Sequence, residues 1–180
     1  GELAGGIKKI VSAPIAVITN ASLLNTPSVR QALSGVDLIV PSLDTVSPDI
    51  FQKIDRPHSG IKVEDIINGL VSLKKEFKGK IWLEIMLVKG LNDDLRHIRK
   101  LKEVIDRINP DKIQLNSPVR TTSEPNILPV DKTSSANSTT SGLHSGWTIT
   151  LAPGYWRIFL IMSSGRMGAG GFLSQSSPDK

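Results

Sequence analysis

The sequence predicts an α/β protein built on a parallel sheet covered by helices. Three observations carry this expectation. Four runs are apolar and β-branched throughout rather than alternating, the stretches between them carry one apolar helical face, and the two kinds of segment follow one another along the chain. An open doubly wound sheet and a slice of a (β/α) barrel both satisfy such an order. In either, ligands bind beyond the carboxyl ends of the strands.

The elements follow in order. Glu2 to Val11 is a short helical candidate, and Pro14 to Thr19 is the first buried strand. Pro27 to Leu33 is a second short helix, and Leu38 to Leu43 the second strand. Ser47-Pro48 starts a turn or two of helix, with Ser47 able to cap and Pro48 at the first helical position. In Lys62 to Phe77 the apolar residues Val63, Ile66, Ile67, Leu70, Val71 and Phe77 keep helical spacing, opposite Glu64, Lys74 and Lys75. Ile81 to Val88 is the third strand. A helix follows from about Asp93 to Ile108, with Leu95, Ile98, Leu101, Val104, Ile105 and Ile108 inward. Its expected cap is Asn92 or Asp93, and Asn109-Pro110 is its stop. Lys112 to Leu115 is the fourth strand.

Composition bounds the rest. A chain of 180 residues with 39% hydrophobic and 22% charged residues buries one core, with room for a small appendage. The net charge of +5, from 22 basic and 17 acidic residues, permits nucleic-acid contact without arguing for it. No run reaches the ~18 apolar residues of a membrane helix, and Gly1 to Ile10 lacks a signal-peptide core, so the expected location is cytoplasmic with no membrane partner. The sequence has 0 cysteines, which excludes disulfides and thiolate-held zinc or iron–sulfur sites within these residues. Gly1-Glu2-Leu3 has no start-of-domain character, and a fragment is the expectation.

After Lys132 the character changes. From Thr133 to Pro178 the only charged residues are Arg157 and Arg166, and Ser, Thr and Gly dominate. A flexible linker plus a hairpin, with Trp147, Tyr155 and Trp156 in its apolar patch, is one reading. Sequence translated out of frame is the other, and the discontinuity favours it. The expected division is therefore 1–132 as the α/β unit and 133–180 as a low-complexity tail.

Polar groups concentrate where the strands end: Thr19-Asn20, Ser42-Leu43-Asp44, Glu84 with "MLVKGLND" behind it, and Asn116-Ser117-Pro118-Val119-Arg120. Any one of them has a plain explanation, because Asn, Ser, Asp and Pro favour turns. Four strands ending alike point instead to a shared pocket. Ser42 and Asp44, two apart on a strand, share a side and could hold vicinal hydroxyls. Asn20 and Asn116 each offer a donor and an acceptor, which suits an amide or a base edge. Glu84, if it faces a barrel interior, needs a cationic partner, with Lys89 or a ligand ammonium as candidates. His58 lies in a loop, His97 is expected to be solvated among Arg96, Arg99 and Lys100, and His144 belongs to the tail. HExxH, GxxxxGK[ST], GxSxG and GxGxxG patterns are absent, and "GAGG" at 168–171 is a poor phosphate loop.

"ITNASLL" (18–24), "DLIVPSLDTVSPDIFQKIDRPH" (37–58), "LEIMLVKGLNDD" (83–94) and "INPDKIQLNSPVR" (108–120) resemble the later strands of a radical S-adenosylmethionine protein. They are most similar to the branch of iron–sulfur oxidoreductases related to wyosine-type tRNA-modifying enzymes. The resemblance spans roughly residues 1–132. It implies a partial (β/α) barrel of the radical SAM type, strands three to six. It also implies S-adenosylmethionine as small-molecule cofactor, a [4Fe–4S] cluster in the intact family, and RNA as a substrate class of the parent. Thr19 and Asn20 then fall at the end of strand three, Ser42 and Asp44 at the ribose-contacting end of strand four, Glu84 and Lys89 on and after strand five, and Asn116 on strand six near the adenine. Position 21 is Ala where the family often has Gly, and the CxxxCxxC cluster ligands are absent from this sequence. The implied function is a fragment of a radical SAM oxidoreductase that is inactive alone. A non-enzymatic α/β nucleotide- or RNA-binding module is the alternative, weakened by a lack of exposed aromatics if Trp82 is core. A phosphate-binding barrel fragment using Glu84 and Lys89 is the third.

Overall fold

The computed structural model describes residues 1–118, 128–130 and the backbone of 149–151. The strands are β1 (Ala16–Thr19), β2 (Leu38–Pro41), β3 (Lys80–Met86), β4 (Lys112–Asn116) and β5 (Ile149–Leu151), and the helices α1 (Glu2–Ile10), α2 (Pro27–Ala32), α3 (Pro48–Ile54), α4 (Val63–Glu76) and α5 (Leu95–Ile108). They form one sheet in the order β1-β2-β3-β4-β5, every described pair parallel. Within the predicted tail, Ile149–Leu151 supplies the last of these strands, pairing Ile113 with Ile149. Trp147, Tyr155, Trp156, His144, "GAGG" and the rest of that tail lie outside the described residues.

The strand order settles which α/β architecture this is. Parallel crossovers are right-handed, so a chain that steps one strand at a time in a constant direction puts its crossover helices on one face. A doubly wound sheet reverses direction at a switch point. No reversal occurs among the described strands, and the result is the partial barrel.

Strand alternation then separates two faces. Val17, Ile39, Leu43, Ile81, Leu83, Ile85, Ile113 and Leu115 point into a core completed by Ile66, Leu70 and Leu73 of α4 and Ile98, Leu101, Ile105 and Ile108 of α5. The opposite face, on which no described crossover helix packs, carries Ile18, Val40, Trp82, Glu84, Met86, Lys112, Gln114 and Asn116, several of them half-buried. Trp82, expected in the core, lies on this open face with Lys112 Nζ 4.6 Å from its ring centroid. A position one residue off the Leu83 register is enough to move it across the sheet.

Helix boundaries follow local chemistry. Asp94, not Asn92 or Asp93, caps α5: its Oδ1 accepts from the Arg96 and His97 N–H groups at 2.9 and 3.0 Å. The two expected caps are occupied elsewhere, Asp93 by the Gly90 N–H and Asn92 by a set of bonds described below. Asn109 ends α5 in the left-handed conformation at φ 53°, with Pro110 after it. Ser47 occupies the N-cap position of α3 but makes no side-chain cap; its own N–H donates to Thr45 Oγ1 at 3.0 Å. His97 is a correction too: it is 4% exposed, because the period that buries Ile98, Leu101 and Ile105 turns it inward despite its basic neighbours.

Close packing fixes the helices. At Gly69 of α4, an added Cβ would lie 2.5 Å from the Asn25 nitrogen and the Leu24 carbonyl carbon, so only glycine lets this helix approach the β1–α2 loop. Arg30 of α2, itself buried, donates two bonds to the Glu76 carboxylate and others to the Leu24 and Asn25 carbonyls. At the amino ends of the strands, Asp37 accepts from the Ile15 N–H at 2.7 Å and Asp111 from the Ile81 N–H at 2.9 Å. Lys8 pairs with the first, Lys74 and Lys80 with the second.

Candidate functional site at the carboxyl ends of the strands

Parallel pairing brings the four predicted strand ends to one rim. Ile18 pairs with Val40, Ser42 bridges Glu84, Glu84 pairs with Gln114, and Met86 pairs with Asn116. The backbone continues this lacing past the strands: Ser42 N–H donates to Thr19 O at 3.0 Å, Leu43 N–H to Glu84 O at 2.9 Å, and Leu87 N–H to Asn116 O at 2.8 Å.

The predicted residues divide into two groups, with Lys89 apart from both. Thr19 and Asn20 serve their own turn: Thr19 Oγ1 accepts from the Ala21 N–H, and Asn20 Oδ1 from the N–H and hydroxyl of Ser22. These bonds hold Ala21, fully buried, in the left-handed region at φ 62°, a conformation that favours the Gly expected there by resemblance. Ser42, Asp44, Glu84 and Asn116 are drawn together across β2, β3 and β4. Lys89 lies exposed in the turn after β3, its backbone N–H donating to Leu128 O.

Asp44 is 9% exposed, and its Oδ1 accepts from the Met86 N–H at 2.7 Å. Burial pushes its carboxyl up to about 7, aided by the negative charges of Asp55 and Glu84 and opposed by the Met86 bond. Burial also raises Glu84, whose Oε1 accepts a bond from Asn116 Nδ2 that draws it back down. With its amide nitrogen so engaged, Asn116 turns Oδ1 away from the carboxylate. That oxygen is shielded from solvent and meets no donor among the described residues. A buried acceptor left empty costs about 1–3 kcal/mol, which is how binding sites differ from finished cores.

Sequence reasoning missed the residue that organises the rim. Asn92 is 0% exposed; its Nδ2 donates to Asp44 O at 2.7 Å and to Met86 O at 2.8 Å, while its Oδ1 accepts from the Val88 N–H at 2.7 Å. The available signal was the Asn in "VKGLND", where a side chain four residues after Val88 can close a turn. His97 was also misjudged; its buried Nε2 has no partner among the described residues, and burial lowers its basicity. No group of three or more His, Cys, Asp or Glu among the described residues could hold a metal. No described helix is long and apolar enough to cross a membrane.

No protein-family profile matches the chain. It is 38% identical over 65% of its length to the GTPase Obg of Brachyspira hyodysenteriae, of which it covers 17%. It is 37% identical over 67% of its length to a UPF0026 protein of Synechocystis sp., covering 44% of that protein. A GTP 3',8-cyclase of Limosilactobacillus fermentum is 29% identical over 53% of the chain, which covers 25% of it. The chain thus spans less than half the length of these relatives. Among solved structures, a domain of pyruvate-formate lyase-activating enzyme from Bacteroides vulgatus aligns with a TM-score of 0.63 at 16% identity, over 77% of this chain and 80% of that one. A radical SAM methyltransferase from Sphaerobacter thermophilus aligns at 0.58 and 16% identity, over 77% and 40% of the two chains. SuiB of Streptococcus suis, solved with S-adenosylmethionine bound, aligns at 0.57 and 13% identity, over 77% and 32%. The chain has the α/β fold of the radical S-adenosylmethionine enzymes, a partial barrel of parallel strands covered by helices.

Proposed function

We propose that this rim is part of an S-adenosylmethionine site, and that the chain is a portion of a radical SAM oxidoreductase whose substrate class is RNA of the wyosine-modification type. The observation that carries the reading is the convergence of Ser42, Asp44, Glu84 and Asn116 at the carboxyl ends of three adjacent parallel strands. Asn116 Oδ1 there lacks a donor among the described residues. Ribose hydroxyls and an adenine amino group are donors, and acceptor groups are what this rim offers. Ser42 and Asp44 are assigned to the ribose, Asn116 to the base and Glu84 to orienting Asn116. Thr19 and Asn20 shape the adjoining turn, and Lys89 borders the opening.

In such enzymes a [4Fe–4S] cluster delivers the electron that cleaves the bound S-adenosylmethionine to a 5′-deoxyadenosyl radical. This chain's residues do not fit a cluster: the sequence has 0 cysteines. Cluster ligation is therefore assigned to residues other than these, and the chain by itself binds cofactor without cleaving it. The GTPase name of one relative is not carried over, since no GxxxxGK[ST] pattern occurs here.

Calorimetric titration with S-adenosylmethionine tests the reading. Binding is expected, weakened about tenfold or more by Asn116→Ala and by Ser42→Ala, as loss of a ligand hydrogen bond implies. No binding by the native chain overturns it. Trp82 under Lys112 on the open face favours one second reading, a stacking platform for single-stranded RNA. Salt-sensitive RNA binding abolished by Trp82→Ala, with no response to S-adenosylmethionine, is the outcome that reading expects.

A further inference from the structure

The carboxyl ends of β2 and β3 are not joined by regular pairing alone. The registered ladder between them covers Leu38 with Lys80 and Ile39 with Ile81, followed by the bridge of Ser42 to Glu84. Beyond that bridge, the Asp44 and Met86 carbonyls take a side-chain donor, and among the described residues no loop backbone amide donates to either. A single side chain supplies what the ladder does not. Asn92 sends one amide hydrogen to Asp44 O and the other to Met86 O, and its oxygen receives the Val88 N–H. Asparagine offers two donors and an acceptor on one short planar group, so no other residue of this length can make the three bonds at once.

We propose that Asn92 is the positioning residue of the rim: it clamps the ends of β2 and β3 together and thereby keeps the Asp44 carboxyl out of water and aimed along the site. The proposal rests on reading the rim as an adenosyl site, and it deepens that reading by naming what regulates it. Asp44 is seated by two contacts, its carbonyl on Asn92 Nδ2 and its Oδ1 on the Met86 N–H, and Met86 is itself held by Asn92. The charged groups acting on it are Asp55, at the end of α3, and Glu84 of β3. Opening the clamp admits water to Asp44, and hydration favours its ionised form. The clamp therefore couples the geometry of the rim to proton binding.

Carbon-13 NMR of the aspartate carboxyls across a pH series tests this in the full chain without any ligand. Asp44 is expected to titrate near 7 in the native protein. In Asn92→Ala its midpoint moves to at least tenfold higher proton concentration, while Asp111, at the far end of the sheet, keeps its depressed value. Asn92→Ser, which retains one donor, serves if the alanine variant does not fold, with the same shift expected in reduced size. An unchanged Asp44 midpoint in a folded Asn92 variant overturns the proposal, as does equal movement of Asp44 and Asp111. Titration with S-adenosylmethionine is then run on the same variants, with affinity expected to fall about tenfold or more as the rim loosens. Should the native chain not bind S-adenosylmethionine while the NMR shift appears, the adenosyl reading fails and the clamp stands.

Discussion

Asp44 sets a test at the scale of one residue. Its carboxyl is raised to about 7 in the folded protein, above the value of 3.8 for a free side chain. Ionisation is then easier in the unfolded chain, so folding stability from this group is greatest below the lower value, declines as pH climbs between the two, and levels off above the higher. Asp44→Asn keeps an acceptor for the Met86 N–H and removes the charge. It is expected to stabilise the protein by on the order of 2 kcal/mol above neutrality, with the gain vanishing near pH ~4. Chemical denaturation of the two proteins at both pH values checks this, and a pH-independent difference counts against a buried carboxyl. Asp44 also shows what sequence could tell: a carboxylate ending an apolar strand marked the rim, while the Asn in "VKGLND" marked only a turn onto Val88 and not a bond to Asp44. That bond spans 48 positions, a separation that no local periodicity or turn pattern encodes.

The helices supply the next level. α4 is legible because Val63, Ile66, Ile67, Leu70 and Leu73 recur at helical spacing, and all are buried as that spacing requires. What spacing does not reveal is why Gly69 sits among them. The answer is the loop backbone pressed against it, 2.5 Å from where a Cβ would stand. Gly69→Ala is expected to destabilise by about 3 kcal/mol or more despite alanine's better helix propensity, because backbone on both sides cannot yield. Asp94→Ala, which removes the cap of α5, is expected to lose about 1 kcal/mol. Thermal unfolding ranks the two; a Gly69→Ala protein as stable as the native one contradicts the contact. The α5 boundary was misread for a related reason. Three consecutive residues, Asn92, Asp93 and Asp94, could each cap, and only tertiary bonds decide that the first two are engaged elsewhere.

For the molecule as a whole, the two ends of the sheet respond to acid in opposite senses. At the amino ends, Asp37 and Asp111 are exposed to burial that raises them, yet hydrogen bonds from Ile15 and Ile81 and the nearby lysines bring both below the ordinary range. Their stabilisation is fully present above the unfolded value and is lost as pH falls through the folded one. At the carboxyl ends Asp44 and Glu84 are raised. Stability is therefore expected to peak in acidic solution near ~4 and to decline from there toward ~7. Asp111→Ala, which strips the Ile81 N–H of its acceptor, is expected to lose about 1–3 kcal/mol at the peak and to flatten the acid limb. Denaturation midpoints across pH read both effects, and a profile rising steadily through neutrality contradicts the assignment. Such a division of labour follows from parallel strands, whose two ends meet different neighbours. Because every described crossover helix backs the same side of the sheet, the strand residues packed against those helices and the residues of the opposite face alternate along each strand. Trp82, Gln114 and Lys112 accordingly point to the face opposite that of Leu83 and Ile113, their neighbours in the same strands. The scaffold offers itself to engineers as a canvas whose painted side faces away from its stretcher.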